Sequence, residues 1–192
     1  MRRQGFSLLE VAIAIAIIAL LSASIFPTVA EQSRYGRVRH AAKVTRELAD
    51  AITAFRVNVG MNPGTLRQLT TPITIADVNS CGAAYVSADV AKWLGPYYRF
   101  PLTTAGFPLS EDQFGRVQNG LVRAPANSSA PGTSAIQITG VPLDSAEELN
   151  ALVDGTRATP ELNRTTGRVR WTSPADVNIF VTVSYHVAIN GC

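Results

Sequence analysis

The spacing of apolar and polar side chains changes along the chain, and each pattern predicts a different element. From Val11 to Ala30 no side chain is charged, and the run reads VAIAIAIIALLSASIFPTVA. Wound as one helix at about 1.5 Å per residue, it matches a hydrocarbon layer about 30 Å thick. Beyond it the pattern becomes one-sided. Tyr35, Val38, Ala42, Thr45, Leu48, Ile52, Phe55 and Val59 recur at steps of three and four, with Arg34, Arg37, Lys43, Arg46, Glu47 and Asp50 opposite them. One helix from about Phe6 to Asn58 is therefore expected, with a lipid-buried half followed by an amphipathic half lying on the chain's own globular part. Gly60-Met61-Asn62-Pro63-Gly64 gathers enough breakers to end it.

The remainder reads as a mixed head. Arg99 to Gly132 is rich in Pro and Gly and is expected to be irregular, with one strand at Leu121–Arg123. Ala135–Thr139 alternates and predicts a strand. Asp144-Ser145-Ala146-Glu147 has the form of a capping box, Leu149, Leu152 and Val153 supply a buried helix face, and Gly155 stands where a C-cap glycine belongs. The clearest period of two is at the C-terminal end, where Ile179, Val181, Val183, Tyr185, Val187 and Ile189 alternate with polar residues. Arg168–Thr172 is expected to pair with that strand through a turn at Ser173–Asp176. The fold class predicted is α+β, a long N-terminal helix packed on an antiparallel sheet.

Glu10 decides between readings of the N-terminus. A secretory signal peptide has a shorter apolar stretch and a small-residue cut beyond it, whereas Ser22-Ala23-Ser24 lies inside this one. A plain anchor explains the length but leaves a carboxylate in an apolar segment, at a cost of about 2.5–3.5 kcal/mol at a helix centre and less near the interface. The segment Arg2-Arg3-Gln4-Gly5-Phe6-Ser7-Leu8-Leu9-Glu10 resembles the type IV prepilin signal: a short basic leader, Gly, then Phe, and a Glu at the fifth mature position. Pro27 falls where many of these proteins carry a helix-kinking proline, although a membrane helix also tolerates a proline without consequence. The resemblance implies cleavage after Gly5 by prepilin peptidase, methylation of the new amino group of Phe6, and a pairing of Glu10 with a neighbour's N-terminus during assembly. Pro63-Gly64-Thr65-Leu66-Arg67-Gln68-Leu69 is similar to the segment after the long helix in pilins and major pseudopilins. Trp93-Leu94-Gly95-Pro96-Tyr97 is similar to the Trp-x-Gly-Pro-Tyr run of pseudopilin heads. Their Asp-Pro-Trp-Gly segment and acidic calcium loop have no counterpart here, so no metal site or cofactor is expected.

Charge and chemistry add little to this. With 46% hydrophobic and 16% charged residues, the chain is too apolar to be disordered. Net charge is +3, and much of the basicity lies in Arg34, Arg37, Arg39, Lys43 and Arg46. These outnumber Arg2 and Arg3, so a bare positive-inside count opposes the topology that the leader implies. Mixed signs and the lack of interleaved aromatics disfavour nucleic acid as a partner. Cys81 and Cys192 have no metal or redox spacing; in an exported domain they form one disulfide, the alternative being two unpaired buried thiols. His40 and His186 read as surface residues, and Asp154 and Asp176 as capping and turn residues. No hydrolase, zinc-protease or phosphate-loop motif is present, so an enzyme is not expected.

The expected organisation is a leader at 1–5, a transmembrane stem helix at 6–30, its amphipathic continuation at 31–60 and a head at 61–192. The expected function is that of a structural subunit, held in the bacterial inner membrane with its head in the periplasm. It is then added to a periplasmic or cell-surface filament of identical or related subunits by an inner-membrane assembly platform. A type II secretion pseudopilin is the alternative, with a DNA-binding competence pilin and a single-pass periplasmic enzyme behind it.

Overall fold

The computed structural model describes residues 8–100, 102, 106–108, 114–124, 132–155, 165–172 and 180–189. Helix α1 covers Leu8–Val59. It ends where the breakers begin: Gly60 takes φ 89°, and its N–H bonds the Arg56 carbonyl at 2.8 Å. By internal contacts the chain forms two compact units, Met1–Arg37 and Val38–Cys192.

In the second unit a 3-10 turn at Leu66–Leu69 and a short helix α2 at Ser87–Val90 precede the sheet. The strands are β1 (Phe107–Pro108), β2 (Arg116–Ala124), β3 (Gly132–Pro142), β4 (Val169–Trp171) and β5 (Phe180–Ile189), with helix α3 (Leu143–Asp154) after β3. All pairings are antiparallel, in the order β1-β2-β3-β5-β4. This is the α+β architecture that the pattern predicts. One cluster of buried side chains joins Val38, Leu48, Ile52, Phe55 and Val59 of α1 to Ile136, Ile138, Val169, Val181, Val183 and Tyr185 of the sheet. Ala41, Val44 and Ala51 are also buried, so the covered face of α1 is wider than its large apolar residues indicate. Tyr35, expected on that face, is 40% exposed and lies in the other unit.

Several elements differ from expectation for identifiable reasons. β2 starts five residues before Leu121–Arg123 because its register shifts between Val117 and Leu121, and that bulge hides the period of two. β3 extends to Pro142 past a second shift between Ile138 and Val141, where Gly140 takes φ 73°. There is no capping box at Asp144. β3 runs directly into α3 with Pro142 at the N-cap, so Asp144 falls in the first turn and its carboxylate accepts from the N–H of Ser145 at 2.8 Å. Leu149 is fully buried as expected, but Leu152 is exposed, and Ala146 and Asn150 fill the buried face with it. Gly155 does cap α3, with φ 77° and its N–H on the Ala151 carbonyl.

The buried Asn150 explains how the sheet ends. Its Nδ2 donates to the Val169 carbonyl at 2.9 Å, while the Asp154 carboxylate accepts from the N–H groups of Val169 at 2.8 Å and Arg168 at 3.0 Å. α3 thus takes both backbone groups of Val169 that a further strand would use, which closes the β4 edge. Asp154→Ala is expected to cost about 1–3 kcal/mol by stranding those donors. Leu152→Ala, in the same helix but exposed, is expected to stay within about 0.5 kcal/mol. Urea unfolding of the two variants checks both values.

Candidate assembly site

The stem is built from residues that find no cover in their own unit. Leu8, Leu9, Val11, Ile13, Ile15, Ile17, Ile18, Leu20 and Leu21 are each 47–88% exposed along α1. Their spacing wraps the helix on all sides, the mark of a segment that is buried among other helices or in lipid. Each such side chain is worth about 1.5–3 kcal/mol when covered, so together they outweigh the desolvation of one carboxylate. Ser22 adds no cost, since its hydroxyl donates to the Ile18 carbonyl at 2.7 Å. Among the described residues no helix is long and apolar enough to cross a membrane, the continuous stretch of described side chains here being Leu8–Ser22.

Glu10 is exposed in the first turn of α1, where the N-terminal end of the helix dipole favours a carboxylate. Gly5 and Phe6 lie outside the described residues. α1 continues through Pro27 without a break in its helical assignment. Cys192 is also outside the described residues. Cys81 lies beside Arg123, whose Nη1 donates to its Sγ at 3.0 Å, and among the described residues no cysteine is a free thiol.

The head carries polar chemistry that hydropathy could not reveal. Gln68 is 2% exposed and ties one loop together: its Oε1 accepts from the N–H of Gly64 and the Tyr85 hydroxyl, and its Nε2 donates to the Val78 carbonyl. A side chain at Gly64 would collide with the carbonyls of Val78 and Asn79, so only glycine fits that approach. Burial raises the Tyr85 hydroxyl far above its ordinary range, and Asp77 and Asp89 add to the effect. The Trp93–Tyr97 run is held by an edge-to-face contact of 5.7 Å between its rings and by Trp93 Nε1 donating to the Gln68 carbonyl at 2.9 Å. Tyr97 in turn meets Phe55 of α1 at 5.5 Å.

His40 is exposed, as expected, but His186 is not a simple surface residue. It is half-buried, with Nδ1 2.9 Å from the Thr133 hydroxyl. Burial and then the neighbouring Arg170 push it down to about 4, against the pull of Asp154. Asp154 holds the β4 edge, as described above, and Asp176 lies outside the described residues. Among the described residues no group of acidic, histidine and cysteine side chains is placed to hold a metal ion.

Residues 1–26 match the family model of the prokaryotic N-terminal methylation motif, the prepilin-type signal of type IV pilins and pseudopilins. No curated protein and no solved structure is similar enough to the chain to count as a match. The chain thus carries the processing signal of a pilin- or pseudopilin-type substrate of prepilin peptidase, on an α+β fold whose long N-terminal helix begins within that signal.

Asp77 offers a test of the loop network. Burial pushes its carboxyl up, but bonds from the Thr74 N–H and hydroxyl, together with the Arg67 guanidinium at 2.6 Å, outweigh burial and leave it below the ordinary value of 3.8. A lowered native value contributes stability above pH 3.8 that is lost as the pH falls through it. Asp77→Asn is expected to be less stable at neutral pH and to show a flatter acid limb than the wild type when unfolding is followed against pH.

Proposed function

We propose that the chain is a structural subunit of a type IV pilus-like filament. Prepilin peptidase removes residues 1–5 and methylates Phe6, and the stem at 6–30 holds the protein in the bacterial inner membrane with its head in the periplasm. An assembly platform in that membrane then adds it to a periplasmic or cell-surface filament of identical or related subunits. The observation that carries this reading is the exposed, all-round apolar stem on which the matched motif lies. Such a stem is stable in lipid or in a bundle of like stems, so one segment serves both states.

Within the bundle, the carboxylate of Glu10 meets the charged amine of Phe6 on a neighbour. Pairing offsets the desolvation of both charges, whereas an unpaired carboxylate is penalised, so the pair sets the register of adjacent stems. Pro27 removes one helical N–H and loosens the turn before it, which lets the stem bend as it leaves the bilayer. The amphipathic continuation at 31–60 joins the stem to the head at 61–192. A Cys81–Cys192 disulfide closes a long loop and ties the C-terminus to the head.

A type II secretion pseudopilin is the second reading, favoured by the Trp93–Tyr97 turn packed against Phe55. Imaging and secretion assays of a deletion strain separate the two, by loss of surface pili or of protein export.

The Glu10→Ala variant tests the assembly step. It is expected to be processed and inserted as the wild type is, and to yield few or no filaments by electron microscopy. Filaments of normal number and length in that variant contradict the pairing.

A further inference from the structure

We infer that a cleft of about 360 Å3 at the border of α1 and the β3–β5–β4 side of the sheet binds a small oxyanion group, a phosphate or a carboxylate, through Arg168, Arg170 and His186. This inference does not depend on the filament reading. The cleft lies within the second unit, and four elements contribute to its walls: Asp50 from α1, Thr133 from β3, Arg168 and Arg170 from β4 and its approach, and His186 from β5.

Arg170 and His186 are held in place but not used up. Arg170 Nε donates to the Gly167 carbonyl at 3.0 Å, which orients the guanidinium, and its Nη groups have no partner among the described residues. The Arg168 guanidinium has none either, its backbone N–H alone being engaged by Asp154. His186 is anchored through Nδ1 to the Thr133 hydroxyl, which leaves Nε2 as its available atom. No ion pair joins Asp50 to either arginine among the described residues, although all three line the cleft. Two guanidinium forks beside an imidazole match the planar, multidentate oxygens of carboxylate and phosphate. The low affinity of His186 for protons comes first from burial and then from the neighbouring Arg170.

Proton and anion are thereby coupled. An oxyanion between the arginines adds negative charge beside His186, so binding draws a proton onto the ring and strengthens as the pH falls. The other charged groups around the ring are Arg168 and Arg170 on the β4 side, Asp154 of α3 and Asp50 of α1; Asp154 favours protonation, and Arg170 opposes it.

The test uses the full chain in detergent micelles and follows the ring resonances of His186 and His40 by NMR. Inorganic phosphate and trifluoroacetate are titrated in separate arms, with ionic strength held constant by sodium chloride. A saturable shift at His186, with its midpoint raised by at least about one pH unit while His40 is unmoved, supports the cleft. The arm that saturates first identifies the preferred oxyanion. Arg168→Gln is expected to weaken that response at least tenfold and to leave the anion-free titration of His186 in place. A response to neither anion, an equal and unsaturated drift at both histidines, or full binding by Arg168→Gln overturns the inference.

Discussion

The head depends on the burial of one helix face, the side of α1 from Val38 to Val59. Phe55 is completely buried there and meets the rings of Tyr85 at 6.4 Å and Tyr97 at 5.5 Å. Val38, Leu48, Ile52 and Val59 join the same cluster as the inner face of the sheet. Each large side chain so buried contributes about 1.5–3 kcal/mol, whereas a surface pair such as Lys43–Glu47, at 3.8 Å, contributes about 0–1 kcal/mol. The polar face of α1 therefore decides little about the fold, and the apolar face decides most of it. Without that face the sheet would have one side uncovered, and the loop around Gln68 would lose the aromatic residues that anchor it to α1.

The same helix has no comparable cover from Leu8 to Leu21. A segment apolar on every side is unstable in water and gains from cover by lipid or other helices. The methylation motif at residues 1–26 sits on this segment. A processing step that removes a few residues and keeps the apolar helix is the reverse of what a secretory signal peptide undergoes. On the proposed reading, that retention links the chemistry of the N-terminus to the mechanics of the stem, with Glu10 as the charge through which adjacent stems pair.

How much of this could be read from the residues follows from the range of the interactions involved. The second half of α1 and β5 are long and periodic, and the first half of α1 is an unbroken apolar run, so their existence and type follow from the residue pattern alone. β2 and β3 were legible only in part, because bulges between Val117 and Leu121 and between Ile138 and Val141 interrupt the alternation. The start of α3 was misplaced for a local reason: a proline at the N-cap took the role that Asp144 resembled. Buried polar residues were the least legible. Gln68, Asn79 and Asn150 are each 5% exposed or less, yet hydropathy gives them no reason to be inside. Their places depend on carbonyls and amides brought close only by the folded chain. His186 is the corresponding case at the cleft, since Thr133 and Arg170 reach it through strand pairing. The methylation motif at residues 1–26 is legible because its information lies in fixed spacing and needs no tertiary partner.

The central claim is that the chain is cut between Gly5 and Phe6 and keeps its apolar stem. Mass spectrometry of the N-terminus of the protein isolated from membranes tests it most directly. The account predicts a mature chain that begins with N-methylated Phe6 and retains Glu10. An N-terminus at Met1, or one produced by a cut beyond Ser22 that removes the stem, would contradict it.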